Sequence, residues 1–132
     1  INVVPRDSSI ATLFKDMNVQ EIKSTDAYWQ QNLETFSTLK TISPGHGYVI
    51  MMNSDDTLQV TGIALKNFVT TTSTGWNLIG CPYRIETPFS DLFDSSNCNI
   101  IKNYDGFWTP GTTSLNSLEN IEPGNGYYLK KN

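Results

Sequence analysis

One phrase of this sequence occurs twice. Pro44–Tyr48 reads PGHGY and Pro123–Tyr127 reads PGNGY, 79 residues later (123 − 44). Sliding the chain by that amount places Trp108 on Trp29, Asp105 on Asp26, Lys102 on Lys23 and Ile101 on Ile22. Leu92 and Phe93 fall on Leu13 and Phe14, and Ile121 on Ile42, all without a gap. A fixed internal period means one supersecondary unit written twice, with neighbouring units burying each other's apolar faces. The chain divides accordingly into a first repeat over 1–53, a strand-bearing link over 54–74 and a second repeat over 75–132, together one compact domain sharing one core. Gly80 lands on Ile1, so the counterpart of Gly75–Ile79, the first strand of repeat one, falls ahead of the first residue.

Local patterns fill in the unit. Asp7-Ser8-Ser9 offers helix caps ahead of Ile10, Leu13, Phe14 and Met17, whose spacing puts them on one helical face. In the second repeat Thr87 is the expected cap, Pro88 the first helical residue, and Phe89, Leu92 and Phe93 the buried face. Strands are predicted over Val19–Lys23 and Cys98–Tyr104. The return strands contain Tyr28-Trp29-Gln30 and Phe107-Trp108-Thr109, and Asp105-Gly106 is a hairpin signal between the last pair. Phe36, Leu39 and Ile42, like Leu115, Leu118 and Ile121, recur every third residue and predict a short helix or 3₁₀ turn. PGHGY and PGNGY then turn the chain into a last strand, their glycines supplying positive φ or close approach. In the link, Leu58–Leu65 alternates like a strand, with Gly62 as a bulge, and Thr70–Thr74 is a polar connector. An empty first-strand slot in repeat one would leave an unpaired edge and an apolar groove, so it is expected to be filled: by Leu58–Leu65 folding back, the favoured occupant, by a neighbouring chain, or by residues of the parent protein ahead of Ile1. The fold class is mainly β, a largely antiparallel sheet or barrel-like arrangement with short helices, in two pseudo-symmetric repeats.

The pattern GWNLIG at 75–80, a short capped helix, paired strands carrying Trp29 or Trp108, and PGHGY or PGNGY closing into a strand resembles a tandem module of multidomain secreted and cell-surface bacterial proteins. There such modules sit beside hydrolases, adhesins and sorting domains. The resemblance covers nearly the whole chain and implies an extracellular accessory module with flanking domains; it implies no activity, because fold and context do not fix function. The absence of an initiator Met and of a signal peptide fits Ile1 as a cut end of something longer.

Composition narrows the partners. A net charge of −4 with no long Lys/Arg cluster argues against nucleic acid. No apolar run approaches the roughly 20 residues needed to enter and cross a bilayer. Cys81 and Cys98 have Asn2 and Val19 as their partners at the repeat offset, so both are present in one repeat and both missing from the other. They are read as a disulfide, worth about 3 kcal/mol for a loop of this size, in keeping with a Thr-, Ser- and Asn-rich secreted surface; the alternative is two small buried hydrophobes.

No catalytic, metal or cofactor constellation emerges. His46, the lone histidine, has Asn125 as its counterpart, which marks a turn position. One His and two Cys make neither a zinc set nor a nucleophile pair of the usual kind, and Asp55-Asp56 and Asp91/Asp94 match no spaced calcium loop. Asp26 and Asp105 are related by the repeat and therefore see similar environments, whereas acid–base chemistry needs their pKa values pushed apart; both read as turn-capping residues. The aromatics remain. Trp29, Trp108 and Trp76 are read as core, with sugar stacking as the functional alternative for the first two. Tyr28, Tyr104 and Phe107 alternate with those Trp positions, so one set faces outward if the other faces in. The candidate ligand set is Asp26, Tyr28, Trp29, Tyr104, Asp105, Phe107 and Trp108, with a neutral polar rim of Gln30, Gln31, Asn32, Asn103 and Thr109. The expected role is a non-catalytic, secreted or cell-surface module binding a glycan or polysaccharide; the rival is a structural or adhesive spacer with no small ligand.

Overall fold

The structure is a computed structural model and describes residues 1–65, 71–112 and 114–132. In chain order its elements are β1 (Val3–Pro5), α1 (Ile10–Leu13), β2 (Val19–Lys23), β3 (Tyr28–Gln30), β4 (Val49–Met52), β5 (Gly62–Ala64), β6 (Gly75–Gly80), β7 (Thr87–Pro88), α2 (Phe89–Leu92), β8 (Ile100–Lys102), β9 (Phe107–Trp108), β10 (Asn120–Ile121) and β11 (Gly126–Lys131). The chain is mainly β with two one-turn helices. All strand pairing among the described residues is antiparallel, in sheets ordered β3-β2-β4, β6-β11-β8-β9, β1-β5 and β10-β7. None of these sheets closes on itself, so the barrel-like alternative gives way to separate open sheets.

Two hydrophobic clusters take the place of the single shared core. Ile10, Phe14, Val19, Ile22, Trp29 and Ile42 pack in the N-terminal part. Ile79, Cys81, Phe89, Cys98, Ile101, Trp108, Ile121, Tyr127 and Leu129 pack in the C-terminal part. Phe89 meets the Tyr127 ring edge-on at 5.4 Å and the Trp108 ring at 5.7 Å.

Several hydrogen bonds recur at the offset read from the sequence. The amide of Ile10 donates to the Lys40 carbonyl and that of Phe89 to the Glu119 carbonyl, each at 2.9 Å. The Thr38 and Leu39 amides donate to the Tyr28 carbonyl; the Ser117 and Leu118 amides donate to that of Phe107. The Tyr48 hydroxyl accepts from the Ser43 amide at 2.8 Å, and the Tyr127 hydroxyl from the Glu122 amide at 3.1 Å. Gly45 and Gly124 hold φ of 71° and 87°, the left-handed conformation that explains a glycine after each proline of the repeated phrase.

Local chemistry departs from the sequence reading in several places. Pro88, at ψ 136°, is the N-cap of α2 and Thr87 lies in β7, because pairing with β10 keeps the backbone extended up to the proline. The hairpin between β8 and β9 is a four-residue loop over 103–106, since Lys102 already pairs with Phe107. Its cap is Asn103, whose Oδ1 accepts from the Asp105 and Gly106 amides. In the other hairpin the Ser24 hydroxyl accepts from the Ala27 amide, and Ser24 N–H donates to the Ala27 carbonyl at 2.9 Å just as Asn103 N–H donates to that of Gly106 at 3.0 Å. Phe36, Leu39 and Ile42, like Leu115, Leu118 and Ile121, lie on turns and strand pairs rather than a helix; Phe36 and Leu115 point to solvent while the other four pack inward.

Of Leu58–Leu65 only Gly62–Ala64 forms a strand, and it pairs with β1 rather than β4. Gly62 is no bulge: the register runs unbroken through Pro5↔Gly62, and the glycine is needed because a Cβ would strike the Val4 carbonyl. The first-strand slot is therefore not filled by this segment. Thr70 of the polar connector lies outside the described residues.

The disulfide reading is also overturned. Cys81 and Cys98 are free and buried. The Cys81 thiol lies 3.6 Å from the Tyr83 carbonyl and 3.8 Å from the Ile121 carbonyl, as a weak donor within the core. Both thiols act as small hydrophobes filling the cluster, and their joint absence from the first part reflects a differently packed core. Burial, with the Asp94 carboxylate as a lesser cause, pushes the Cys98 thiol up to about 11; burial raises Cys81 also. Stability held by the neutral Cys98 thiol is fully present below the ordinary thiol pKa of 9.0 and is lost as pH rises through about 11. Thiol titration of the unfolded, unreduced protein is expected to find two free thiols, with almost no reaction in the folded state at neutral pH; a single unfolding transition that stays flat from pH 8 to 11 would contradict the burial. The tyrosine latches give a second expectation. Tyr48→Phe and Tyr127→Phe each strip a part-buried amide of its acceptor and should each cost about 1–3 kcal/mol in chemical denaturation.

Candidate functional site

Alternation along β6 decides which aromatics can meet a ligand. Asn77 and Ile79 point inward, where the Asn77 side chain donates to the Ser73 and Gly75 carbonyls at 2.7 and 3.0 Å and accepts from the Ser73 amide. Trp76 and Leu78 therefore face out. Trp76 is 45 % exposed, contrary to its reading as core. Lys102 Nζ sits 4.9 Å and Lys130 Nζ 5.9 Å from its ring centroid, a cation–π pair of contacts from β8 and β11.

The same outer face of the four-stranded sheet carries Tyr128, opposite Leu78 and Lys102, and Phe107, opposite Lys102. Tyr104, in the adjoining hairpin, is 87 % exposed. Burial, and after it the neighbouring Tyr104 hydroxyl, push the Tyr128 phenol up. Tyr104 and Tyr128 line a cleft of about 260 Å³ with Asn103, Asp105, Asn125, Tyr48 and other groups. The shelf is thus aromatic, with two lysines over it and amide and carboxylate groups at one side.

The candidate residues do not assemble into one site. Trp29 and Trp108 are buried at 4 % and 8 % exposure and cannot present a ring to a ligand. Tyr28 lies on the three-stranded sheet, its hydroxyl donating to the Phe36 carbonyl at 3.3 Å, beside Lys23 across the β2–β3 pair. Asp26 lies in the hairpin at that end, with Ser24 Oγ donating to it over a long 3.4 Å. Tyr104, Asp105 and Phe107 belong to the other sheet. No described cavity is lined by both Asp26 and Asp105, so the two carboxylates do not form a pair across one site.

The expected neutral rim is partly committed elsewhere. Asn103 caps its own turn, and Thr109 is bonded through both amide and hydroxyl to Asn116. Lysines 102 and 130 flank the shelf instead. Trp76, Tyr128, Lys102 and Lys130 are the functional candidates that sequence reasoning missed; the alternation of β6 about buried Ile79 was the signal for Trp76. Among the described residues no group of three or more His, Cys, Asp or Glu side chains could hold a metal ion, and no helix is long and apolar enough to cross a membrane. Comparison of the chain with protein-family models, curated proteins and solved structures finds no match.

The three tryptophans separate experimentally. Trp29→Ala or Trp108→Ala should cost about 3–5 kcal/mol as large core truncations, whereas Trp76→Ala should change stability by under about 1 kcal/mol, the scale of an exposed cation–π contact. In iodide or acrylamide quenching of the native protein, the accessible emission should disappear with Trp76→Ala alone.

Proposed function

We propose that this chain is a non-catalytic module of a secreted or cell-surface protein, and that it binds carbohydrate on the outer face of the sheet formed by β6, β11, β8 and β9. The observation that carries this reading is the exposed shelf of Trp76, Tyr128, Tyr104 and Phe107. The apolar C–H faces of a pyranose stack on aromatic rings, and its hydroxyls take hydrogen bonds from groups at the ring edge. Lys102 and Lys130 supply ammonium donors above the shelf, and Asn103, Asp105 and Asn125 border the cleft. The lysines favour glycans bearing carboxylate or sulfate over neutral ones, since a charge-assisted hydrogen bond is about twice as strong as a neutral one.

The module is, on our reading, two copies of one unit related by the 79-residue offset. The tyrosine latches, the Gly45/Gly124 turns and the matching hairpin closures support it. On that reading the shelf is not repeated in full in the first copy, where Tyr128 corresponds to Val49 and Tyr104 to Thr25.

A glycan array probed with the labelled protein tests the function. Binding is expected, with a loss of about tenfold or more on Trp76→Ala or Tyr128→Ala, equivalent to about 1.4 kcal/mol, and little loss on Tyr28→Ala. If no glycan is retained at millimolar concentration, the chain is instead a structural or adhesive spacer.

A further inference from the structure

Charge is distributed unevenly along the aromatic shelf. On the outer face of the sheet Lys130 stands opposite Trp76, and Tyr128 stands between Leu78 and Lys102. The Nζ atoms of Lys102 and Lys130 lie over the Trp76 ring, 4.9 and 5.9 Å from its centroid. The ion pairs among the described residues are Lys15–Asp16 and Lys23–Glu21, so neither shelf lysine has a carboxylate partner among them. Two unneutralised ammonium groups thus share one indole in a chain whose net charge is −4.

The cleft next to them has the opposite character. It begins at Tyr128, two residues from Lys130 and so about 7 Å along the strand, and neither lysine lines it. Asp105 borders it, exposed and outside both ion pairs. Asn125 Nδ2 donates to the Glu122 carboxylate at 2.9 Å, which leaves Asn125 Oδ1 as its open end. Asn103 Oδ1 already accepts from the Asp105 and Gly106 amides, so Asn103 offers only its Nδ2. The cleft is therefore rich in acceptors and carries a negative charge.

Each part selects by charge. The ammonium groups cover the indole on which a sugar ring would stack, held by a contact that is weak at an exposed site. A neutral ring would have to displace them and offer nothing in return. An acidic ring draws them onto its own carboxylate, exchanging the cation–π contact for a charge-assisted hydrogen bond, and so uncovers the indole. In the cleft the preference is reversed. A carboxylate there meets the like charge of Asp105, whereas hydroxyl and N–H groups meet acceptors.

We propose that the shelf reads an alternating acidic glycan: a hexuronate ring over Trp76, its carboxylate on Lys102 and Lys130, next to a neutral or N-acetylated ring in the cleft of Tyr104, Tyr128 and Asp105. This inference rests on the carbohydrate reading and adds an order of residues to it. A uniformly acidic chain would set a carboxylate against Asp105, and a uniformly neutral one would leave the lysines on the indole.

Calorimetric titration of the full chain with three tetrasaccharides tests the order: alternating glucuronate and N-acetylglucosamine, glucose alone, and galacturonate alone. The alternating chain is expected to bind at least about tenfold more tightly than either uniform one, and to weaken as ionic strength rises. Replacing both exposed lysines, Lys102→Gln with Lys130→Gln, should abolish its advantage over the glucose chain. Asp105→Asn, which keeps the backbone bond to Asn103, should strengthen the galacturonate chain and leave the alternating one unchanged. Equal binding of the three, or tightest binding of galacturonate, overturns the inference and leaves the carbohydrate reading standing. So does a preference that neither the lysine pair nor Asp105→Asn alters. Binding of none of the three overturns the inference together with the carbohydrate reading.

Discussion

The backbone pairing of β6 is the interaction on which the rest of the structure depends. A strand in a sheet interior satisfies its amides and carbonyls on both sides, and for Gly75–Gly80 those sides belong to different parts of the chain: β11 on one, the turn at Gly45–Gly47 on the other. Its inward face covers the second cluster through Ile79, and its outward face presents Trp76. One six-residue strand thus ties the two hydrophobic clusters together and sets the orientation of the exposed aromatic shelf.

Such close joining is possible only where side chains are missing. A Cβ at Gly47 or Gly80 would collide with backbone carbonyls of Ile79 and His46 respectively, so the two glycines allow main chain to meet main chain. The tyrosine that follows then fixes the turn from within. The Tyr48 and Tyr127 hydroxyls each take a backbone amide that the turn leaves free, which answers the requirement that part-buried amides be paired. Burial pushes both phenols up, favouring the protonated hydroxyls.

The outer face of the larger sheet is governed by different physics. Trp76 exposes ring surface that water hydrates poorly, and the ammonium groups of Lys102 and Lys130 lie over it, attracted by the ring quadrupole. Because these contacts are exposed, they hold the rings in place weakly and can be exchanged for a ligand at small cost. The three-stranded sheet has no equivalent: its Lys23 is paired with Glu21 at 2.9 Å and its Tyr28 is tied to the Phe36 carbonyl.

The sequence by itself determined the local units. The PGHGY and PGNGY turns, the Trp29 and Trp108 hairpins and the short helices at Ile10 and Phe89 follow from glycine conformation, alternation and apolar spacing, all of which act within a few residues. Only the tertiary structure decided what those units meet. It placed Trp29 and Trp108 in the core and Trp76 outside, because the facing of a strand depends on which side the cluster lies. It kept Cys81 and Cys98 apart as packed thiols, because bridging needs a relative geometry that spacing does not encode. It gave the turn caps to Ser24 and Asn103, since the register of Lys102 against Phe107 lengthened the loop. And it sent Gly62–Ala64 to β1 instead of β4, where Gly62 lets the two backbones touch, so that among the described strands β4 pairs with β2 alone. Long-range pairing is a competition between strands, and alternation in one segment does not reveal which edge will win it.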